Sequence, residues 1–433
     1  MVEARKCLPA NELNPASVQP VALPKPLFST LVLHVHRMAT HSFIPNAVSD
    51  IIYFDYNAST PVSQEVLDRM IPYFLEEYGN PSNKSHRYGW AADEAVTIAR
   101  EQLAELIQAT PDDIIFTGGA TEAVNMAIKG IAKSRGSKGK HVITCATEHS
   151  AVLESCKSLQ FDGFEITALP VDENGLLSTD AVASALREDT VLVAIMWANN
   201  ETGVIHPVAD IAAVLEDHPA LFLTDATQAV GKIPVNVEDV DLLACSAHKF
   251  YGPKGVGALF IRETHPSIRV APLIHGGSQE SGKRAGTVNV PGIVGLGAAA
   301  EIAKTRLFSD HERHTGLRDR FENALIKSIR DLKVNGIDVD RLPQTSNITF
   351  RGIDVGKMIV DIGRLAVSTG SACGTGKAKP SHVLAAHGIS VEEAKRTIRF
   401  SFGRNTTENE VDEAIRLLVD YVNEHTVQPV MQN

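Results

Sequence analysis

A chain of 433 residues exceeds what one ordinary compact core accommodates, so two domains, or one large domain with a smaller appendage, are expected. With 44% hydrophobic and 21% charged residues, the composition excludes a largely disordered protein. A formal net charge of −11 without a dense Lys/Arg block argues against nucleic acid as a partner.

In chain order, residues 1–48 carry Pro9, Pro15, Pro20, Pro24, Pro26 and Pro45, few acids, and only Arg5, Lys6, Lys25 and Arg37 as bases. They read as a flexible extension, either an organelle leader or an overlong start ahead of Met38. The apolar run from Leu27 to Val35 is too short to span a bilayer, so no membrane association is expected. The location is expected to be cytoplasmic, or mitochondrial if the extension is a transit peptide. Runs rich in β-branched residues follow at Asp113 to Thr117, His141 to Cys145, Val191 to Trp197, Leu221 to Asp225, Leu242 to Ser246 and Ala258 to Arg262. Each predicts a buried strand. Helical periodicity between them, at Thr121 to Ile131, Ser150 to Gln160 and Val208 to Leu215, predicts an α/β fold with a mostly parallel sheet. After residue 307 the texture changes: a charged helix from Asp310 to Ile329, strands at Asn347 to Phe350, near Leu365 to Ser368 and at Thr397 to Phe402, and a last helix from Thr407 to Val422. The expected division is therefore 49–62 joining the small domain, 63–307 as a large domain, 308–426 as a small α+β C-terminal domain and 427–433 as a tail.

Polar residues at strand ends in such a sheet mark the ligand crevice. Thr117-Gly118-Gly119-Ala120-Thr121-Glu122 lies between a strand and a helix, where backbone N–H groups approach a phosphate; it is either a phosphate cup or a plain strand-helix turn. Asp225, with Gln228 nearby, is placed to pair with a protonated ring nitrogen or to cap the following helix. Lys249, behind Ser246 and His248 at the end of an apolar strand, has its charged form disfavoured and suits covalent attachment of a carbonyl cofactor. Ser246 and His248 are placed to donate to a phosphate, whereas Lys254, after a Gly-Pro turn, reads as exposed.

Taken with Phe54-Asp55-Tyr56-Asn57-Ala58-Ser59-Thr60-Pro61, Gly79-Asn80-Pro81-Ser82, Thr147-Glu148-His149, Asn199-Asn200-Glu201-Thr202-Gly203, Arg284-Ala285-Gly286-Thr287, Gly370-Ser371-Ala372-Cys373 and Arg399-Phe400-Ser401, these segments resemble the class V aminotransferase-fold cysteine desulfurases of the iron-sulfur and nitrogen-fixation type. The likeness runs from Tyr53 to Leu418. It implies a fold-type I pyridoxal 5'-phosphate (PLP) enzyme with Lys249, Cys373 and His149 as catalytic residues. It also implies that Asp225 pairs with the pyridine nitrogen, Gln228 bonds the phenolate oxygen, and His149 stacks on the ring. Ala120, Thr121, Ser246 and His248 would hold the phosphate, with Asn200 also at the cofactor. Thr287 would reach the phosphate of a neighbouring subunit, implying a homodimer with shared sites. Asn200 and Arg399 would receive the carboxylate of L-cysteine, Asn57 would also bind the substrate, and no metal is implied. Without the family, His149 reads as a core or helix-cap histidine.

The five cysteines Cys7, Cys145, Cys156, Cys245 and Cys373 form no CxxC pair and no metal-ligand spacing, so the compartment is read as reducing. Cys373 lies among glycines with Lys377 and Lys379 close behind, a setting that suits a nucleophilic thiolate, whereas Cys145, Cys156 and Cys245 sit in apolar patterns that bury them. The resemblance implies sulfur transfer from L-cysteine to Cys373 as a persulfide, with release of L-alanine and delivery to an acceptor protein. Ser278 and Ala285 depart from the common family pattern. The ending at Asn433 lacks the longer tail by which relatives dock a scaffold, so docking by that route is not expected. Selenocysteine lyase, an aminotransferase of the same fold and a catalytically silent partner of a sulfur-transfer complex are the rival readings.

Overall fold

The computed structural model describes residues 50–263, 267–369 and 380–425. The expected N-terminal extension, the tail 427–433 and Cys373 lie outside the described residues. A short strand β1 (Ile52–Tyr53) is followed by helices α1 (Gln64–Met70) and α2 (Arg87–Ile107). The strands and main helices of the next layer follow in the order β2 (Ile114–Thr117), α3 (Ala120–Arg135), β3 (His141–Cys145), α4 (Ser150–Leu159), β4 (Glu165–Leu169), β5 (Thr190–Ala194), α5 (Val208–Leu215), β6 (Leu221–Asp225), β7 (Leu242–Ser246) and β8 (Gly257–Ile261).

These strands form a seven-stranded sheet in the order β2-β8-β7-β6-β5-β3-β4, in which only the two pairings made by β8 are antiparallel. The two-residue period of a strand sends neighbouring side chains to opposite faces. Ile143, Phe222, Leu243 and Cys245 accordingly join one apolar cluster, and Val142, Leu221, Leu223 and Ala244 join the other. Both faces are covered, as a largely parallel sheet requires.

A 39-residue helix, α6 (Val290–Ser328), leaves this layer. Its first half is built of small residues because it packs tightly: a Cβ on Gly297 would fall 2.5 Å from the Ala99 Cα on α2. Its second half contributes Leu317, Phe321 and Leu325 to a third cluster. The expected helix from Asp310 is thus the distal part of a longer one, and position 307 lies inside it. The third cluster also underlies a four-stranded antiparallel sheet, with strands β9 (Leu332–Val334), β10 (Thr345–Phe350), β12 (Ser368–Thr369) and β13 (Thr397–Ser401) in the order β12-β13-β10-β9. Between β10 and β12, β11 (Leu365–Ala366) pairs in parallel with β1, and α7 (Glu408–His425) closes the described chain. Among the described residues, no helix is long and apolar enough to cross a membrane.

Candidate active site

The C-terminal ends of β2, β3, β5, β6 and β7 open on a cavity of about 610 Å³, which Asn57 reaches from the N-terminal segment and Arg399 from β13. Ala120, Thr121, His149, Asn200, Asp225, Gln228, Ser246, His248 and Lys249 also line it. Thr287 does not; it is exposed on the segment leading into α6. Lys254 is exposed as the sequence suggests, yet it also borders the cavity.

One end of the cavity is the start of α3. Gly119 caps this helix at φ 144°, and no side chain bonds its first amides. A Cβ on Gly119 would project into the space before the Ser246 Oγ, 3.8 Å away. Free amides, a positive helix end and the absence of a side chain make an anion cradle. Glu122 braces it from one turn on, accepting from the Gly118 amide at 2.7 Å and pairing with Arg284 at 2.8 Å.

The Lys249 turn is gripped by the segment Asn57–Thr60. The Thr60 amide and hydroxyl both donate to the His248 carbonyl at 2.9 Å, and the Thr60 Oγ1 accepts from the Tyr251 amide at 2.8 Å. Tyr251 is held at φ 71°, a strained conformation for a bulky residue, with the Arg404 guanidinium 4.2 Å above its ring. Lys249 Nζ donates to the carbonyls of Asn57 (2.6 Å) and Ala58 (2.8 Å). Burial, and then repulsion from Arg399, lowers its pKa to about 8 against the pull of Asp225 and Asp55. Burial and the neighbouring lysines likewise push His248 down to about 4.

Asp225 is buried at the end of β6 and accepts from the Thr227 amide at 3.0 Å. His149 serves both readings of it: Nδ1 accepts from the Ala151 amide at 3.1 Å, capping α4, while the ring borders the cavity. With Nδ1 occupied as an acceptor, a neutral ring carries its proton on Nε2. Asn57 differs from expectation. Its side chain is spent on the Asn200 carbonyl, the Thr345 hydroxyl and the Gln344 amide, so it meets Lys249 through its carbonyl.

Arg399 Nη2 donates to Asp55 (2.6 Å) and to the Ser368 hydroxyl (2.8 Å), while Nη1 donates to the Asn200 carbonyl at 3.0 Å. Among the described residues, Nε is buried without a partner. One Nη1 donor is thereby left for a ligand, so a two-point grip on a carboxylate requires Asp55 or Ser368 to yield. The Asn200 side-chain amide makes no hydrogen bond among the described residues.

The class-V aminotransferase model ("Aminotransferase class-V") matches residues 52–414. "Cysteine desulfurase IscS" of Anaeromyxobacter sp. (strain Fw109-5) is 48% identical over 373 residues, covering 86% of this chain and 92% of that protein. The chain belongs to the cysteine desulfurase family. Among solved structures, a NifS-like protein superposes with a TM-score of 0.80 at 36% identity, covering 86% of this chain and 100% of that one. A structure titled "SspA in complex with cysteine" gives 0.73 at 40% identity, covering 81% and 98%.

Members of this family depend on PLP, and the donor set fits that cofactor: an anion cradle, a buried carboxylate, an amide and a lysine of lowered pKa surround one space. Sequence reasoning left out several of the residues that hold this arrangement. Glu148 is fully buried; its Oε1 accepts from the Met196 amide at 2.6 Å, its Oε2 has no partner among the described residues, and burial pushes its pKa well up. Asp55 and Ser368 hold Arg399, and Lys232 lies behind Gln228. A polar side chain in a buried strand-end motif was the available signal for Glu148; Lys232 had none beyond its one-turn spacing from Gln228. Cys145, Cys156 and Cys245 are buried with thiols pushed up to about 12, so none of them is a thiolate at neutral pH. Among the described residues, no cluster of three or more His, Cys, Asp or Glu side chains is arranged to hold a metal.

Proposed function

We propose that this chain is a PLP-dependent cysteine desulfurase that converts L-cysteine to L-alanine and carries the sulfur away as a persulfide on Cys373. The observation that carries the proposal is the convergence of Lys249, Asp225, Gln228, His149 and Arg399 on one cavity beside an uncapped helix N-terminus. Bound PLP would supply an electron sink that makes the substrate Cα–H removable. Ala120, Thr121, Ser246 and His248 hold its phosphate, Asp225 its ring nitrogen and Gln228 its ring oxygen.

Lys249 would hold the cofactor, and its amine would take and return the proton at the substrate Cα; an amine with pKa about 8 is suited to both directions near neutral pH. Arg399 and Asn200 bind the substrate carboxylate. His149, with Nδ1 engaged by Ala151, offers Nε2 to the substrate sulfur. The Cys373 thiolate bonds to that sulfur, the Cβ–S bond breaks with its electron pair on the carbon side, and that carbon takes up a proton to give alanine.

The working unit is proposed to be a homodimer in which the partner subunit's Thr287 completes the phosphate site. Exposed Phe74, Leu75, Tyr78 and Trp90 support such an interface. Residues 63–307 and 308–426 are proposed as its large and small domains, with 49–62 joining the small one. The sulfur acceptor is proposed to be a protein of iron-sulfur cluster or other thio-cofactor synthesis.

The test is absorbance of the purified protein at about 420 nm, where a PLP-lysine link absorbs, followed by alanine and sulfide assays on wild type, Lys249→Ala and Cys373→Ala. A yellow enzyme whose activity needs both residues supports the proposal. Undiminished alanine release by Cys373→Ala with a dithiol present refutes the persulfide step.

A further inference from the structure

Lys232 follows Gln228 by one helical turn, closed by the Val230 amide on the Ala226 carbonyl (3.0 Å) and the Ile233 amide on the Ala229 carbonyl (3.1 Å). Residues four apart on such a turn share a side, and Lys232 Nζ donates to the Gln228 Oε1. Among the described residues, no carboxylate pairs with Lys232. Burial, then repulsion from Lys249 and Arg399, lowers its pKa well below the ordinary lysine value. A lysine costly to bury and without a counter-ion is not retained for its charge pairing.

Its contact settles a question that a glutamine otherwise leaves open. An amide reverses easily, exchanging a donor for an acceptor at nearly the same place. Here both ends agree. The Asn57 carbonyl only accepts, so it takes Nε2, at 3.0 Å, and Lys232 Nζ, which carries N–H donors in either protonation state, takes the oxygen. The second Nε2 hydrogen remains for the cavity that Gln228 lines. The same Asn57 carbonyl accepts from Lys249 at 2.6 Å, so Lys232, Gln228, Asn57 and Lys249 form one hydrogen-bonded row.

We propose that Lys232 is a positioning residue that holds the Gln228 oxygen so that an N–H, and not a carbonyl, faces the anionic ring oxygen of the cofactor. The inference rests on the PLP reading above. Without Lys232 the Gln228 oxygen loses its partner, the amide samples the reversed orientation, and a repulsive oxygen-oxygen contact replaces a hydrogen bond in part of the population.

The experiment is a cycle of Lys232→Met, Gln228→Leu and the double variant in the full-length protein. Its readouts are the PLP dissociation constant of the apo-protein and the pH midpoint of the bound cofactor's absorbance change. Lys232→Met is expected to weaken PLP by about tenfold, the scale of one hydrogen bond, and to move the pH midpoint. Gln228→Leu moves both the same way, and adding Lys232→Met to it changes neither by more than about twofold, because the two residues act through one contact. Lys232→Arg, which keeps a donor, restores the wild-type midpoint and stands in if the methionine variant does not fold. Wild-type affinity and midpoint in Lys232→Met overturn the inference, as do effects that multiply in the double variant. Failure of the wild type itself to bind PLP overturns the PLP reading instead, so the two failures are distinct.

Discussion

Replacing His206 and His387 together by leucine should abolish a specific part of the protein's acid sensitivity. The two imidazoles are 2% and 4% exposed, and among the described residues none of their four ring nitrogens has a hydrogen-bond partner. Burial is the main reason each pKa falls to about 4; for His206 repulsion from His387 comes next, and for His387 Lys333 also lowers it, while Asp172 opposes in both cases. The folded pKa therefore lies below the unfolded value of about 6.5. Above pH 6.5 neither state binds the proton and the contribution is constant. Between 6.5 and 4 the unfolded chain takes protons that the folded chain refuses, so stability falls as pH falls. At pH 5 the loss is on the order of 2 kcal/mol per histidine, or about 4 kcal/mol for the pair. Urea unfolding of wild type and the double variant at pH 8 and pH 5 measures it. Leucine has similar volume and needs no partners, so the variant should hold its stability at pH 8 and lose about 4 kcal/mol less than wild type on going to pH 5. Groups such as His314, which titrate in both proteins, cancel in this difference. Equal losses would refute the argument, because histidines buried as neutral groups cannot leave the pH profile unchanged.

Gly175 sits against His387 at φ 86°, and a Cβ there would fall 2.0 Å from the His387 Cε1. Gly175→Ala should therefore destabilise by about 2 to 4 kcal/mol, from backbone strain and overpacking together, seen as a lowered thermal midpoint. The rate at which apo-protein captures PLP should rise with pH and level off through about pH 8, the pKa of Lys249; a rise that continues to pH 10 would mean an ordinary exposed lysine. Arg399→Lys cannot serve Asp55, Ser368 and the Asn200 carbonyl from one planar group. It should raise the KM for L-cysteine at least roughly tenfold while leaving PLP affinity near wild type.

The strand ends and their polar residues were readable in the sequence because apolar runs stop abruptly at Asp225 and Ser246, and those stops are where the cavity lies. Other elements were hidden for definable reasons. β4 has an exposed edge face, so Glu165–Leu169 lacks the continuous apolar signature of its neighbours. The first half of α6 is rich in glycine and alanine, which obscures helical periodicity although those small residues are what close packing on α2 demands. The expected strand at Val191 to Trp197 ends at Ala194, and the Met196 amide beyond it bonds Glu148 rather than a neighbouring strand. Within the site, residue types were legible and commitments were not. Asn57 was recognised, but that its amide is consumed by Gln344 and Thr345 depends on contacts nearly 290 positions away.

The grip of the N-terminal segment on the rest of the site also fixes when that site can exist during synthesis. The Asn57 amide bonds the Ser401 hydroxyl, and Asp55 bonds Arg399, each across 344 positions of chain. At the roughly 5 to 20 residues per second of a ribosome, the first-made edge of the cavity waits from about 17 to 70 s for its last-made partner. Until then β1 has no partner strand either, since β11 is translated only shortly before. A nascent chain arrested before residue 397 would have completed the seven-stranded sheet and Lys249, yet it would lack Arg399 and its pairing with Asp55. The sheet side of the cavity therefore takes shape first, and its Arg399 wall is added by β13.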